Sequence, residues 1–162
     1  MKTLLTAAAS GLFGTVAVTV SFSLQWPTWV MFIAWVSFYL FGKTVPSSLK
    51  ALLHLALGML MGVLIQLTAA FLTPMTGGAG FALSVFFYIG SLAYFARSKR
   101  LNNIPAWFLG LIILFGAHPP LEPKPILQLF IPIAAGFLFA WLNNAVVEKL
   151  QNLQHSSETA SH

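Results

Sequence analysis

The chain has no cysteine, which removes thiol nucleophiles, disulfides and thiolate metal sites. It has no aspartate either, and Glu122, Glu148 and Glu158 are its three acidic residues in a length of 162. So few carboxylates leave almost no room for paired-carboxylate acid–base chemistry. Charge of either sign is scarce: Asp, Glu, Lys and Arg make up 7% of the residues, against about 25% in soluble globular domains. No phosphate-binding glycine loop of the Gly-x-x-x-x-Gly-Lys-Ser/Thr kind is present, so ATP is not the expected energy source. No convincing nucleophile, base and metal set remains, so the chain is read as a non-enzyme with no cofactor and no metal.

What is there is apolar. Hydrophobic residues account for 58% of the sequence, more than a soluble domain of this size is able to hide. The bilayer is therefore its expected partner. Six apolar stretches, broken by charge or by Pro and Gly clusters, run at about 4–24, 28–42, 51–73, 79–96, 104–117 and 126–146. A helix needs about 20 residues to cross a hydrocarbon layer of about 30 Å. The first, third and sixth stretches suffice, the fourth just does, and the second and fifth are short. The expected fold is all-α: a polytopic transmembrane bundle of about six helices over 1–148, followed by a disordered polar tail, 149–162. The tail carries His155 and His162, two residues without partners and a poor metal site. The first apolar run continues to Leu24, too long for the h-region of a signal peptide, and is expected to remain as a transmembrane helix.

With eight Lys and Arg the formal charge is +5, which in a soluble protein would suggest nucleic acid. The positions of those charges explain it better. If the first residues are cytoplasmic and each stretch crosses once, Lys2, Lys43, Lys50, Arg97, Lys99, Arg100 and Lys149 lie inside and Lys124 outside. That asymmetry is the positive-inside pattern, with both ends cytoplasmic and no nucleic-acid partner expected.

An offset of 78 residues places Pro27 and Trp29 on Pro105 and Trp107, and Ala56, Gly58, Leu60 and Gly62 on Ala134, Gly136, Leu138 and Ala140. Pro46 meets Pro125 after one inserted residue, as does Gly11 with Gly90. Three crossings per repeat, an odd number, would turn the second half upside down, a recurrent transporter architecture of 3+3 inverted repeats. The two short stretches then occupy matching places, which is where such proteins build midplane binding sites. The competing reading of the same pair is local bilayer thinning, with Trp29 and Trp107 as interfacial anchors.

Gly58, Gly62 and Gln66 recur at intervals of four, and so do Gly136, Ala140 and Asn144. Small residues at this spacing are helix-packing surfaces, which accounts for Gly58, Gly62, Gly136 and Ala140. The amides that end the stripes ask for more, because an unpartnered amide in hydrocarbon is costly. Gln66, Asn144, Trp29, Trp107 and His118 are accordingly the candidate pathway or solute-contacting residues. His54, one turn after Lys50, is a further ionisable residue close to the cytoplasmic surface. The Ser and Thr hydroxyls of the first and fourth stretches are expected to bond back to carbonyls of the preceding turn. No stretch holds an embedded Asp, Glu, Lys or Arg, so proton-coupled pumping is disfavoured.

Trp29, Phe32 and Phe38 in the second stretch, Pro105, Phe108, Gly110 and Phe115 in the fifth and Gly136 in the last make the chain resemble a known family. It is similar to the small bacterial inner-membrane proteins catalogued as domain of unknown function 1097, the YcdZ-like family, over most of its length to Asn144. That resemblance implies a location and no mechanism. The residues themselves point to a passive channel or facilitator for a small polar solute, working as a homo-oligomer. The second reading is a structural or accessory protein that assembles through its small-residue faces.

Overall fold

The computed structural model describes residues 2–159, with side-chain surroundings for 3–153. The polar stretch is helical as far as Thr159, and the His155 and His162 side chains lie outside the described set. Among the described residues every regular element is helical: α1 (Lys2–Ser23), α2 (Thr28–Leu40), α3 (Val45–Thr76), α4 (Ala79–Phe95), α5 (Ile104–Ala117), α6 (Pro123–Gln128) and α7 (Phe130–Thr159). Three spans are long and apolar enough to cross a membrane: Thr3–Ser23, Val45–Thr76, and Pro123–Leu153 across α6 and α7. The protein is a polytopic helical membrane protein. α2 and α5, of 13 and 14 residues, reach only about 20 Å, and α4 with 17 residues sits at the lower limit for crossing.

The break between α6 and α7 has a local cause. Pro132 lacks an N–H and its ring crowds the carbonyl four residues earlier, that of Gln128, the last residue of α6. The turn from α2 into α3 uses Gly42 at φ 124°, a conformation closed to most side chains. Thr44 and Ser47 then cap α3 reciprocally: each hydroxyl accepts the other's backbone N–H, at 3.1 and 3.3 Å.

The chain divides into two compact units. The first holds residues up to Ser48 and from Gln128 onward, and the second is Leu49–Leu127. In the first, α1 and α2 pack with α7; in the second, most of α3 packs with α4 and α5. Each half of the sequence thus contributes its long third helix to the unit built on the other half's first two. The exchange is reciprocal.

Within each unit a long and a short helix run side by side in the same direction. Gly58 faces Trp107, and Gly62 faces Leu111 and Leu114 farther along α5. In the first unit Gly136 faces Met31, Phe139 stacks on Trp35 and Asn143 bonds Tyr39. Parallel α3 and α5 require α4 to return between them, so α5 runs with α3 and does not double back on it. The start of α5 is fixed by Asn103, whose side chain accepts the Ala106 N–H at 3.3 Å, and by Pro105 in the first turn. Asn103→Ala is expected to cost about 1 kcal/mol and Asn103→Gly a few tenths of that. Chemical unfolding in detergent micelles measures the difference.

Candidate functional site

The short helices are held by glycines. A Cβ placed on Gly136 would run into the Met31 carbonyl and come within 2.8 Å of Ala34 Cβ. One on Gly58 would meet the Trp107 carbonyl, and one on Gly110 the Leu55 carbonyl. Backbone therefore lies on backbone in both units. At Gly62 the intruding atom is Leu114 Cδ2, at 2.6 Å. Gly58, Gly62, Gly136 and Ala140 are all buried, and their stripes are used within the chain's own units.

This register delivers polar groups into apolar surroundings. Two turns beyond Gly136 on α7 lies Asn143, 5% exposed, whose Nδ2 donates to Tyr39 Oη at 2.9 Å. Its Oδ1 is buried and has no hydrogen-bond partner among the described residues. The Trp35–Phe139 stack, with ring centroids 6.4 Å apart, lies one turn earlier on the same two helices, and Lys43 Nζ stands 5.5 Å from the Tyr39 ring centroid. In the second unit His54 is 2% exposed, and its Nδ1 lies 2.6 Å from the Lys50 carbonyl. A carbonyl only accepts, so Nδ1 is the donor of this contact. His54 Nε2 is buried and, among the described residues, unpartnered too. Among the described residues each unit thus holds a buried side-chain polar atom left without a partner, which is costly in hydrocarbon.

The residues nominated from the sequence fall in different settings. Gln66 is half-buried and forms no hydrogen bond among the described residues. Asn144 is half-buried and donates to Glu148 Oε1 at 2.9 Å, one turn on, while its neighbour Asn143 takes the inward place. Trp29 is 37% exposed. Trp107 is buried, its ring stacked on Phe95 at 5.0 Å and its N–H donated to the Leu101 carbonyl at 3.1 Å. His118 is exposed and ends α5 in the left-handed conformation, φ 45°, donating its backbone N–H to Leu114. No hydrogen bond or ring contact joins any two of these five among the described residues.

The hydroxyls follow the expected pattern. Thr15, Thr19, Ser84 and Ser91 bond carbonyls three or four residues back. Ser21 does so and also meets Thr28 Oγ1 at 2.5 Å, and Tyr88 instead pairs with Thr68 Oγ1 at 3.1 Å.

A family model described as a protein of unknown function, DUF1097, matches residues 7–148. The chain belongs to the DUF1097 family. No curated protein and no solved structure matches it. The DUF1097 region runs from within α1 to Glu148 in α7, so Asn143, Tyr39 and His54 lie inside it. Tyr39→Phe is expected to lower stability by about 1–3 kcal/mol, because it strands a second polar group on Asn143. Adding Asn143→Leu should restore most of that loss, since replacing both partners by apolar groups is nearly neutral. Asn144→Leu should stay within about 0.5 kcal/mol. Thermal unfolding of the four proteins in one detergent distinguishes these outcomes.

Proposed function

We propose that this DUF1097 protein is a passive facilitator for small, neutral solutes that carry hydrogen-bond donors. The observation that carries the reading is the pair of buried polar atoms left unpartnered among the described residues, Asn143 Oδ1 and His54 Nε2, one in each compact unit. A bilayer protein gains nothing in stability from a buried lone pair, whereas a solute N–H or O–H shedding its water needs one. The absence of embedded Asp, Glu, Lys and Arg from the apolar stretches supports a neutral cargo and an uncoupled mechanism. The distribution of basic residues supports cytoplasmic placement of both termini, and a bacterial inner membrane is what the resemblance to the DUF1097 proteins implies. Units of three or four helices are small, which favours a homo-oligomer as the working form, with no catalytic step.

A structural or accessory role is the second reading. What favours it is that the small-residue stripes are given over to helix packing. Under that reading Asn143 and His54 are packing residues and there is no flux to lose.

The test is solute uptake by liposomes holding the purified protein, with urea, acetamide and glycerol as donor-bearing solutes and dimethyl sulfoxide as one without a donor. Uptake of the first three is expected to exceed that of empty liposomes. It should fall by about tenfold, the worth of one hydrogen bond, in Asn143→Leu and in His54→Phe. Gln66→Leu and Asn144→Leu should retain it. Uptake equal to empty liposomes for every solute, or undiminished in both Asn143→Leu and His54→Phe, contradicts the proposal.

A further inference from the structure

The second unit carries a groove of about 310 Å³ walled by Leu57, Leu60 and Leu64 of α3, Tyr88 and Phe95 of α4, and Leu101 of the α4–α5 connection. Its polar atoms are already engaged. Tyr88 Oη pairs with Thr68, Ser91 Oγ donates to the Tyr88 carbonyl, and the Trp107 N–H donates to the Leu101 carbonyl. The walls thus offer a guest only hydrocarbon. Leu60 and Leu64 are 53% and 39% exposed, so the groove opens sideways from the helices, where a bilayer supplies acyl chains.

One end of the groove has a different character. Between the wall residues Phe95 and Leu101 the chain reads Ala96, Arg97, Ser98, Lys99, Arg100. Tight turns hold this connection against the end of α4: Ala96 N–H bonds Leu92, Arg97 bonds Tyr94, Ser98 bonds Phe95 and Leu101 bonds Ser98. The three basic residues are therefore kept within a turn or two of the groove's mouth. All three are exposed, and none forms an ion pair with another described residue. The Trp107 side chain fastens the connection from the other side, stacking on Phe95 while its N–H holds Leu101.

We propose that this is a binding site for an anionic phospholipid, with one acyl chain in the groove and the head-group phosphate against Arg97, Lys99 and Arg100. A hydrocarbon slot ending in three unpaired cations, at a membrane helix terminus, matches that amphiphile in both shape and charge. A zwitterionic lipid would fill the slot and gain little from the cations. A free phosphate would use the cations and leave the slot empty.

Native mass spectrometry of the detergent-purified full chain tests it, using phosphatidylglycerol and phosphatidylcholine with identical chains, and glycerol 3-phosphate as the head group alone. Wild type should retain phosphatidylglycerol about tenfold or more over phosphatidylcholine, at roughly tenfold per cation or less, and retain no glycerol 3-phosphate. The exposed triple variant Arg97→Gln, Lys99→Gln, Arg100→Gln should lose the preference, while Lys43→Gln with Lys50→Gln should keep it. Leu60→Trp, which fills the slot, should weaken retention of both lipids. Equal retention of the two lipids by wild type overturns the proposal. So does an equal loss of preference in the Lys43 and Lys50 variant, which would mark general charge attraction, or retention of glycerol 3-phosphate, which would mark a phosphate site.

Discussion

At Gly58 and Gly136 a long helix lies directly on the backbone of a short one, with no side chain between them. In lipid there is no hydrophobic gain from bringing two apolar helices together, so cohesion comes from close packing, dispersion and weak Cα–H···O contacts. Small residues make those terms large by letting backbones approach. Gly110 answers Gly58 from the opposite helix, which makes the α3–α5 crossing small on both sides. Helices of 13 and 14 residues span too little hydrocarbon to be fixed by the bilayer, and these crossings tie each of them to a helix of 30 residues or more.

The polar arrangement follows from that contact. Once Gly136 is seated on Met31, the parallel run of α2 and α7 brings Phe139 to Trp35 and Asn143 to Tyr39 in succession. Sliding α7 by one residue would break all three. In the second unit the Gly58 contact sets Trp107 beside Phe95, and through its N–H it holds the connection that bears Arg97, Lys99 and Arg100. Packing, the unpartnered Asn143 Oδ1 and the basic-ended groove are thus linked to two helix crossings.

Much of this was legible in the sequence because lipid imposes simple rules. Apolar length marked the helices to within a few residues, apart from the ends of α3 and α7, where polar residues prolong a helix beyond its apolar part. Intervals of four marked Gly58, Gly62, Gly136 and Ala140 as buried positions. That Asn143 is the buried amide and Asn144 the half-buried one was not legible, since adjacent residues at the edge of a stripe both lie near its face. The placement of Tyr39 on α2 decides it, a fact of register between segments 104 residues apart. The split between Trp29 and Trp107, alike in Pro-x-Trp, likewise follows from neighbours: Phe95 and Leu101 enclose Trp107. The groove needed Leu57, Tyr88 and Leu101 to converge, which no local pattern announces.

The dependence of the structure on those crossings is tested most directly by adding one methyl group at a time. Gly58→Ala, Gly110→Ala and Gly136→Ala each force a Cβ into a facing carbonyl, whereas Gly11→Ala and Gly90→Ala, with nothing within 4 Å, meet open space. Unfolding free energies in one detergent should fall by about 1–3 kcal/mol or more for the first three. They should hold or rise by up to about 1 kcal/mol for the other two, since alanine is the better helix former. If all five substitutions had the same effect, the crossings would not be what holds the units together.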